Sequence, residues 1–328
     1  MSTATLELEA APSTLTEDQI TEEAVVSRLL PWAGLTTGVA TPDEKITLTD
    51  LLDRAGLNWG TEARPMWRRL SSGKFVQDKK IREIYRTDNE DRIGDVKTKY
   101  ENVTNYQAFA FGDELVKEGV ATWSEGGMQN NGARVFASMR LAESFSVLDN
   151  DAYEMYLFWR MGHGSGMSIT GDIIPFRAFC LNQHNLATAS GVAHWAIPHL
   201  STAHDRLAEA HAAVARVGEY TKELAKVMET LALKKITTDQ VKKLIDEVVP
   251  KNRAKRDVVL ADLLSVYETS ETVAPYRGTA YGLLNAATEF YDHVIRRDSD
   301  NARFEAAMVG DGMKVRDGLT KRMLTLAA

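Results

Sequence analysis

Residues 156–189 read YLFWRMGHGSGMSITGDIIPFRAFCLNQHNLATA, from Tyr156 to Ala189. Two runs rich in β-branched and aromatic residues flank a loop of small residues, His163-Gly164-Ser165-Gly166. That pattern predicts two antiparallel strands, over 153–160 and 169–179. The preceding stretch, ATWSEGGMQNNGARVFASMRL, carries Asn131-Gly132, a dipeptide that favours tight hairpin turns. These strands form an antiparallel or mixed sheet in the N-terminal half of the chain. Within 156–160 the period of two puts Tyr156, Phe158 and Arg160 on one face and Trp159 on the other.

Upstream of this sheet, residues 46–57 place Leu51, Leu52 and Leu57 at helical spacing, with a capping Thr or Asp and with Gly56 near the end. The stretch NWGTEARPMWRRL reads as extended, and 79–103 as a hairpin around 87–91. Asn105 caps a helix over YQAFAFGDELVKEG. Residues 1–17 have little to bury and read as a flexible arm, with a short helix to follow over 22–30. Downstream the chain changes character. From Leu181 to about Leu233 it reads as helical, and further helices are predicted over 236–248, 251–268, 280–296 and 301–326. The fold class is α+β. A sheet-containing part (18–190) precedes a helical part (191–328) with long amphipathic helices, packed on the sheet as one compact unit.

The composition is that of a globular protein, with 44% hydrophobic and 26% charged residues in 328. A net charge of -7 argues against indiscriminate coating of DNA but leaves room for a local basic groove. Cys180 is the one cysteine, so an intrachain disulfide and a thiolate zinc cage are excluded. The start of the chain lacks a secretory pattern, and no apolar run is long enough for a bilayer. The expected location is the cytoplasm, with no membrane partner.

The candidate site residues follow from anion chemistry. His163, Ser165 and Gly166 form a loop that presents backbone N–H groups to an anion. Arg177 supplies a bidentate phosphate contact, and Asn182 a base-edge contact or a helix cap. Arg160 stands near Phe136, Phe158, Trp159, Arg134 and Arg140 on the predicted strands, where aromatic and basic residues serve unpaired bases. Lys251, Arg253, Lys255 and Arg256 add a basic stretch. Each has a plainer reading: a hairpin turn, an Arg paired with a nearby acid, a cap, a solvated helix surface.

Nucleophilic catalysis by Cys180 with His184, one helical turn on, is the sharper alternative. The apolar phrase around Cys180 raises a thiol pKa, however, and GHGSG lacks the central Ser of a nucleophile elbow. His194, His199, His204 and His211 cluster in sequence, and His204 and His211 share a helix face, but without a metal-binding motif they read as solvated or core histidines. Asn285, Glu289 and Asp292 line one face of their helix and read as an inter-helix hydrogen-bond network. No catalytic residue, metal or cofactor is assigned.

Several phrases in order, YENVTNYQAFAFGDELV, HGSG, PFRAFCLNQHNLA, KNRAKRDVVLADLLSVYE, GTAYGLLNAATEFYDH and GDGMKVRDGLTKRML, resemble one family, the phage/plasmid-like proteins of domain of unknown function 932. PWAGLTTGV and LLDRAGLNWGTEARPM resemble its N-terminal section, so the likeness runs over roughly 30–326. Ala33 departs from the His that the family often has in a Pro-Trp-His-Gly phrase. The resemblance implies a phage, prophage or plasmid setting without an established activity. The order of strands then a long helix is similar to the β-β-β-α arrangement of phage single-strand annealing proteins. The expected function is binding of single-stranded nucleic acid, in recombination or replication, by a homo-oligomer. The alternatives are a host-interaction or structural phage protein, and an enzyme with a site in 163–182.

Overall fold

The computed structural model describes residues 32–41, 44–148, 151–164, 166–178, 194–200, 214, 216–251, 255–295, 299–308 and 310–327. The arm (1–17), the helix over 22–30, Ser165, Cys180, Asn182, His184, His204, His211 and Arg253 lie outside them.

The chain runs through β1 (Thr36–Val39), α1 (Leu48–Arg54), β2 (Thr61–Arg69), β3 (Phe75–Arg86), β4 (Arg92–Lys97), α2 (Asn105–Phe109) and α3 (Gly112–Lys117). Five strands follow: β5 (Ala121–Gln129), β6 (Arg134–Val147), β7 (Asp151–Gly162), β8 (Ser168–Arg177) and β9 (His194–Pro198). Then come α4 (Val217–Leu233), α5 (Thr238–Val248), α6 (Arg256–Thr269), α7 (Ala280–Glu289), α8 (Asp300–Met308) and α9 (Asp311–Ala327). The fold is α+β, with strands mostly in the N-terminal half and helices in the C-terminal half.

Local chemistry explains most boundaries. Thr47 and Asp50 form a capping box that starts α1. The single helix expected after Asn105 is two. Thr104 is the cap, boxed with Gln107, and Asn105 is the first helical residue. The break comes where Gly112 meets Trp123: a Cβ on Gly112 would lie 2.3 Å from that ring. α7 also ends earlier than its apolar pattern, because the chain widens into a π turn over Phe290–Val294. Residues 301–326 divide at Gly310 into α8 and α9.

The main sheet has the order β1-β5-β6-β7-β8-β9, and every pairing is antiparallel. β9 corrects the reading of 181–233 as helical, since His194–Pro198 is a sixth strand on the edge of β8. A five-residue run before a proline is too short for periodicity to separate helix from strand.

The two faces of the sheet differ. Met155, Leu157, Trp159 and Met161 of β7 enter the main core, shared with α4, α5, α6, α7 and α9. Tyr156 and Phe158 face the other way, into a smaller cluster with Trp32, Phe136, Phe176 and, from α8, Phe304 and Met308. Trp32 stacks on Phe158 with ring centroids 4.2 Å apart and donates its Nε1 hydrogen to the buried Glu125 carboxylate.

A second sheet, β2-β3-β4, closes the end of the main sheet where the β5–β6 and β7–β8 turns lie. Ile84, Ile93 and Val96 carry it into the main core. Arg86 clamps it, with Nη1 donating to the Asn131 carbonyl at 3.2 Å and the guanidinium 4.3 Å from the Trp59 ring centroid. The closest approach is at Gly94, where a Cβ would sit 2.6 Å from the carbonyl oxygen of His163. Gly94→Val should therefore push the two sheets apart and lower stability by about 1–3 kcal/mol, measured by urea unfolding.

Candidate nucleic-acid interface

The sheet register builds a cleft on the open end of the face that carries the smaller cluster. Side chains opposite one another share a face, so the pairs Phe136↔Arg160 and Arg160↔Thr170 make one row. Phe158↔Asp172 and Asp172↔His194 make the next. Arg134, at the start of β6, stands at the mouth. Arg134, Phe136, Arg160, Thr170 and His194, with Phe304 and Glu305 of α8, line a cleft of about 350 Å³.

Its polar groups are organised by two carboxylates. Asp172 accepts from Arg160 Nη2 at 3.3 Å through one oxygen and from His194 Nδ1 at 2.7 Å through the other. Arg134 Nη1 donates to Glu305 at 2.6 Å. The bond to Asp172 raises the His194 pKa above its usual value, and partial burial opposes the shift. Below that raised pKa the cleft holds three cationic groups against two carboxylates, beside Phe136 and Phe304.

The sequence-predicted residues do not meet in one groove. Among those that are described, Arg160 alone lines the cleft. Gly166 is exposed in the β7–β8 turn at φ +79°, and a side chain there would meet nothing within 4 Å. His163 is buried and bonded to Asn105 Oδ1 at 2.9 Å. Asn105 Nδ2 donates to the Leu57 carbonyl, so its oxygen faces the ring and His163 Nε2 is the donor. Burial pushes the His163 pKa down to about 3, with smaller contributions from His199 and Arg86. A neutral histidine inside the protein does not serve an anion outside it.

Arg177 is corrected in the same way. Its Nε donates to both Asp151 oxygens, at 2.6 and 2.8 Å, and its Nη1 to the Thr272 carbonyl at 2.8 Å. It is 3% exposed, so it is a tie between sheet and helices and not a phosphate contact. Lys251, Lys255 and Arg256 sit at the α5–α6 connection, and Arg256 pairs with Asp246 at 2.8 Å. Their helices pack through Leu244, Ile245, Leu263 and Val266 into the main core, on the opposite face of the sheet from the cleft. Distance along the chain gave no view of that separation.

Asp172 is the residue at the cleft that the sequence reading does not name; it weighs Arg134 with Arg160 without assigning it to the site, and it reads His194 as a solvated or core histidine. HWAIP is too short to carry a strand signal, so the pairing that turns His194 towards Asp172 appears only in the sheet.

The molecule defined here is an α+β protein with an antiparallel sheet, helices on one face and an arginine- and histidine-lined cleft on the other. The chain belongs to the family described as domain of unknown function (DUF932), whose model matches residues 92–309. Neither the curated proteins nor the solved structures provide a match. Among the described residues no helix is long and apolar enough to cross a membrane.

Two outcomes follow from the buried groups. Asp151→Ala leaves the Arg177 charge unpaired in the interior and should cost about 3–5 kcal/mol in chemical denaturation. His163 binds its proton far more weakly folded than unfolded, so its stabilising contribution is complete above pH ~6.5 and is lost as pH falls towards 3. His163→Gln should flatten the pH dependence of the unfolding free energy between those limits.

Proposed function

We propose that this protein binds single-stranded nucleic acid, as a phage- or plasmid-encoded factor of recombination or replication that favours annealing. In this reading it works in the host cytoplasm as a homo-oligomer, which gains affinity by repetition along a strand. The observation that carries the reading is the cleft, where Arg134, Arg160 and His194 converge over Phe136 and Phe304. Its volume suits one nucleotide, with an apolar floor for the base and charge-assisted donors for a phosphate. An acidic chain restricts such binding to local sites and disfavours wrapping of duplex DNA.

A second reading has one observation in its favour. His194 gives Nδ1 to Asp172, the arrangement that orients an imidazole as a general base. Cleavage of an oligonucleotide by the wild type, lost in His194→Gln, would establish an enzyme instead.

The test is fluorescence anisotropy of a labelled single-stranded oligonucleotide over a salt series. Wild-type affinity should fall with salt, and Arg134→Ala with His194→Gln should flatten the log–log slope by about 0.7 for each phosphate contact removed. Both side chains are well exposed, so the fold should persist. Affinity should also rise as pH falls through the raised His194 pKa, where the imidazolium adds a cation beside Arg160 and Asp172. His194→Gln removes that rise. A wild-type protein without salt-dependent binding ends the reading.

A further inference from the structure

β2 and β3 continue past the reach of β4. β4 pairs only with residues 81–85 of β3. From 75 to 80, β3 has β2 as its one neighbour, through Trp67↔Gln77, Arg68↔Val76 and Arg69↔Phe75. The two strands thus project as a ribbon, closed by a turn in which Gly73 adopts φ +84°. An isolated two-stranded ribbon has little stability of its own, so its side chains call for a reason.

Those side chains are unusual for a surface. Trp67 is 57% exposed and Phe75 61%, with Leu70 exposed at the tip. Neither aromatic ring stacks on another ring or lies under an Arg in the described structure. The rings therefore do not stabilise the ribbon by packing on each other. Residues 66–80 hold five cations, Arg68, Arg69, Lys74, Lys79 and Lys80, against one acid, Asp78, in a chain of net charge -7. Among the described residues none of the five makes an ion pair, whereas Arg64, Arg86 and Arg92 nearer the base all do.

The register sorts these groups by face. Trp67, Arg69, Phe75 and Gln77 share one face, because opposite residues and alternate residues point the same way. That face carries two aromatics and one arginine and no carboxylate, and Lys79 and Lys80 follow in the irregular stretch where the register shifts. Edge lysines alone would serve to discourage strand pairing between molecules, but that role has no use for an exposed Trp and Phe.

We propose that the ribbon of residues 66–80 is a second contact for single-stranded nucleic acid. Trp67 and Phe75 stack on unpaired bases, and Arg69 and the flanking Arg68, Lys74, Lys79 and Lys80 take the phosphates. The inference rests on the nucleic-acid reading but concerns a different surface. The family match starts at residue 92, so the ribbon lies outside the part of the chain that the family model covers.

The experiment uses the full chain and a fluorescein-labelled oligo-dT, with a duplex of equal length as comparison. Three variants are measured beside the wild type: Trp67→Ala with Phe75→Ala, Arg69→Gln with Lys79→Gln, and the cleft pair Arg134→Ala with His194→Gln. Thermal melting checks that each remains folded, and the exposed positions make that the expected result. The aromatic variant should lose tenfold or more in single-strand affinity with an unchanged salt slope. The charge variant should flatten the slope by about 0.7 per contact. Trp67→Phe should also reduce the tryptophan quenching that oligonucleotide produces.

Wild-type affinity in both ribbon variants, with loss in the cleft pair, overturns the ribbon and leaves the proposed function standing. Equal weakening of duplex and single strand overturns the preference for unpaired bases. If the wild type binds no oligonucleotide, both ideas fall. A shift in sedimentation on Trp67→Ala in that case makes the ribbon an arm for a second copy of the chain.

Discussion

The ion pair between Arg177 and Asp151 governs how the two halves of this protein meet. Both side chains are 4% exposed. Such a pair offsets its desolvation only when its remaining hydrogen-bonding positions are also filled. Here they are: Asp151 Oδ2 accepts from Tyr281 at 2.6 Å, the Tyr281 and Tyr153 hydroxyls lie 2.5 Å apart, and Arg177 reaches the Thr272 carbonyl. Burial raises the pKa of both tyrosines, so they stay neutral donors. One cluster thus fixes the start of β7, the end of β8, α7 and the turn before it. Polar residues at the end of α7 and in the π turn after it continue the pattern. Glu289 accepts from Ser270, and Asp292 pairs with the buried Arg316 of α9 at 2.7 Å.

With the helical layer committed to one face of the sheet, the other face is left with a lighter cover. Trp32 and α8 shield the central rings, and the cleft opens where that cover ends. The result is a separation of roles by alternate residues of single strands. On β7, Trp159 packs in the main core while Arg160 lines the cleft. On β8, Ile173 is core and Asp172 organises the cleft. A shift of one residue in register would exchange these roles completely.

Charge follows the same division. In the stem of the second sheet Arg64, Arg86 and Arg92 pair with acids of the same sheet and its turns, and the α5–α6 connection pairs Arg256 with Asp246. On the projecting ribbon five cations, Arg68, Arg69, Lys74, Lys79 and Lys80, stand with one acid, Asp78, in a chain whose total charge is negative. A field of one sign on a short protrusion acts locally and is little opposed by distant carboxylates at physiological salt.

The sheet was legible in the sequence because its determinants are local. Alternating apolar residues, Asn131-Gly132 and the small-residue loop after Gly162 specify strands and turns without reference to distant parts of the chain. The network of Asn285, Glu289 and Asp292 was legible too, since helical spacing puts these polar residues on one face and their burial demands partners. The fate of Arg177 and His163 was not. An arginine in an apolar run reads alike whether it meets a phosphate or a buried aspartate, and only the approach of Asp151, 26 residues earlier, decides between them. The cleft depended on register across four strands, and β9 is too short to announce its structure. Tertiary packing also placed Lys251, Lys255 and Arg256 behind the sheet, because burial, and not sequence proximity, determines which face a helix covers.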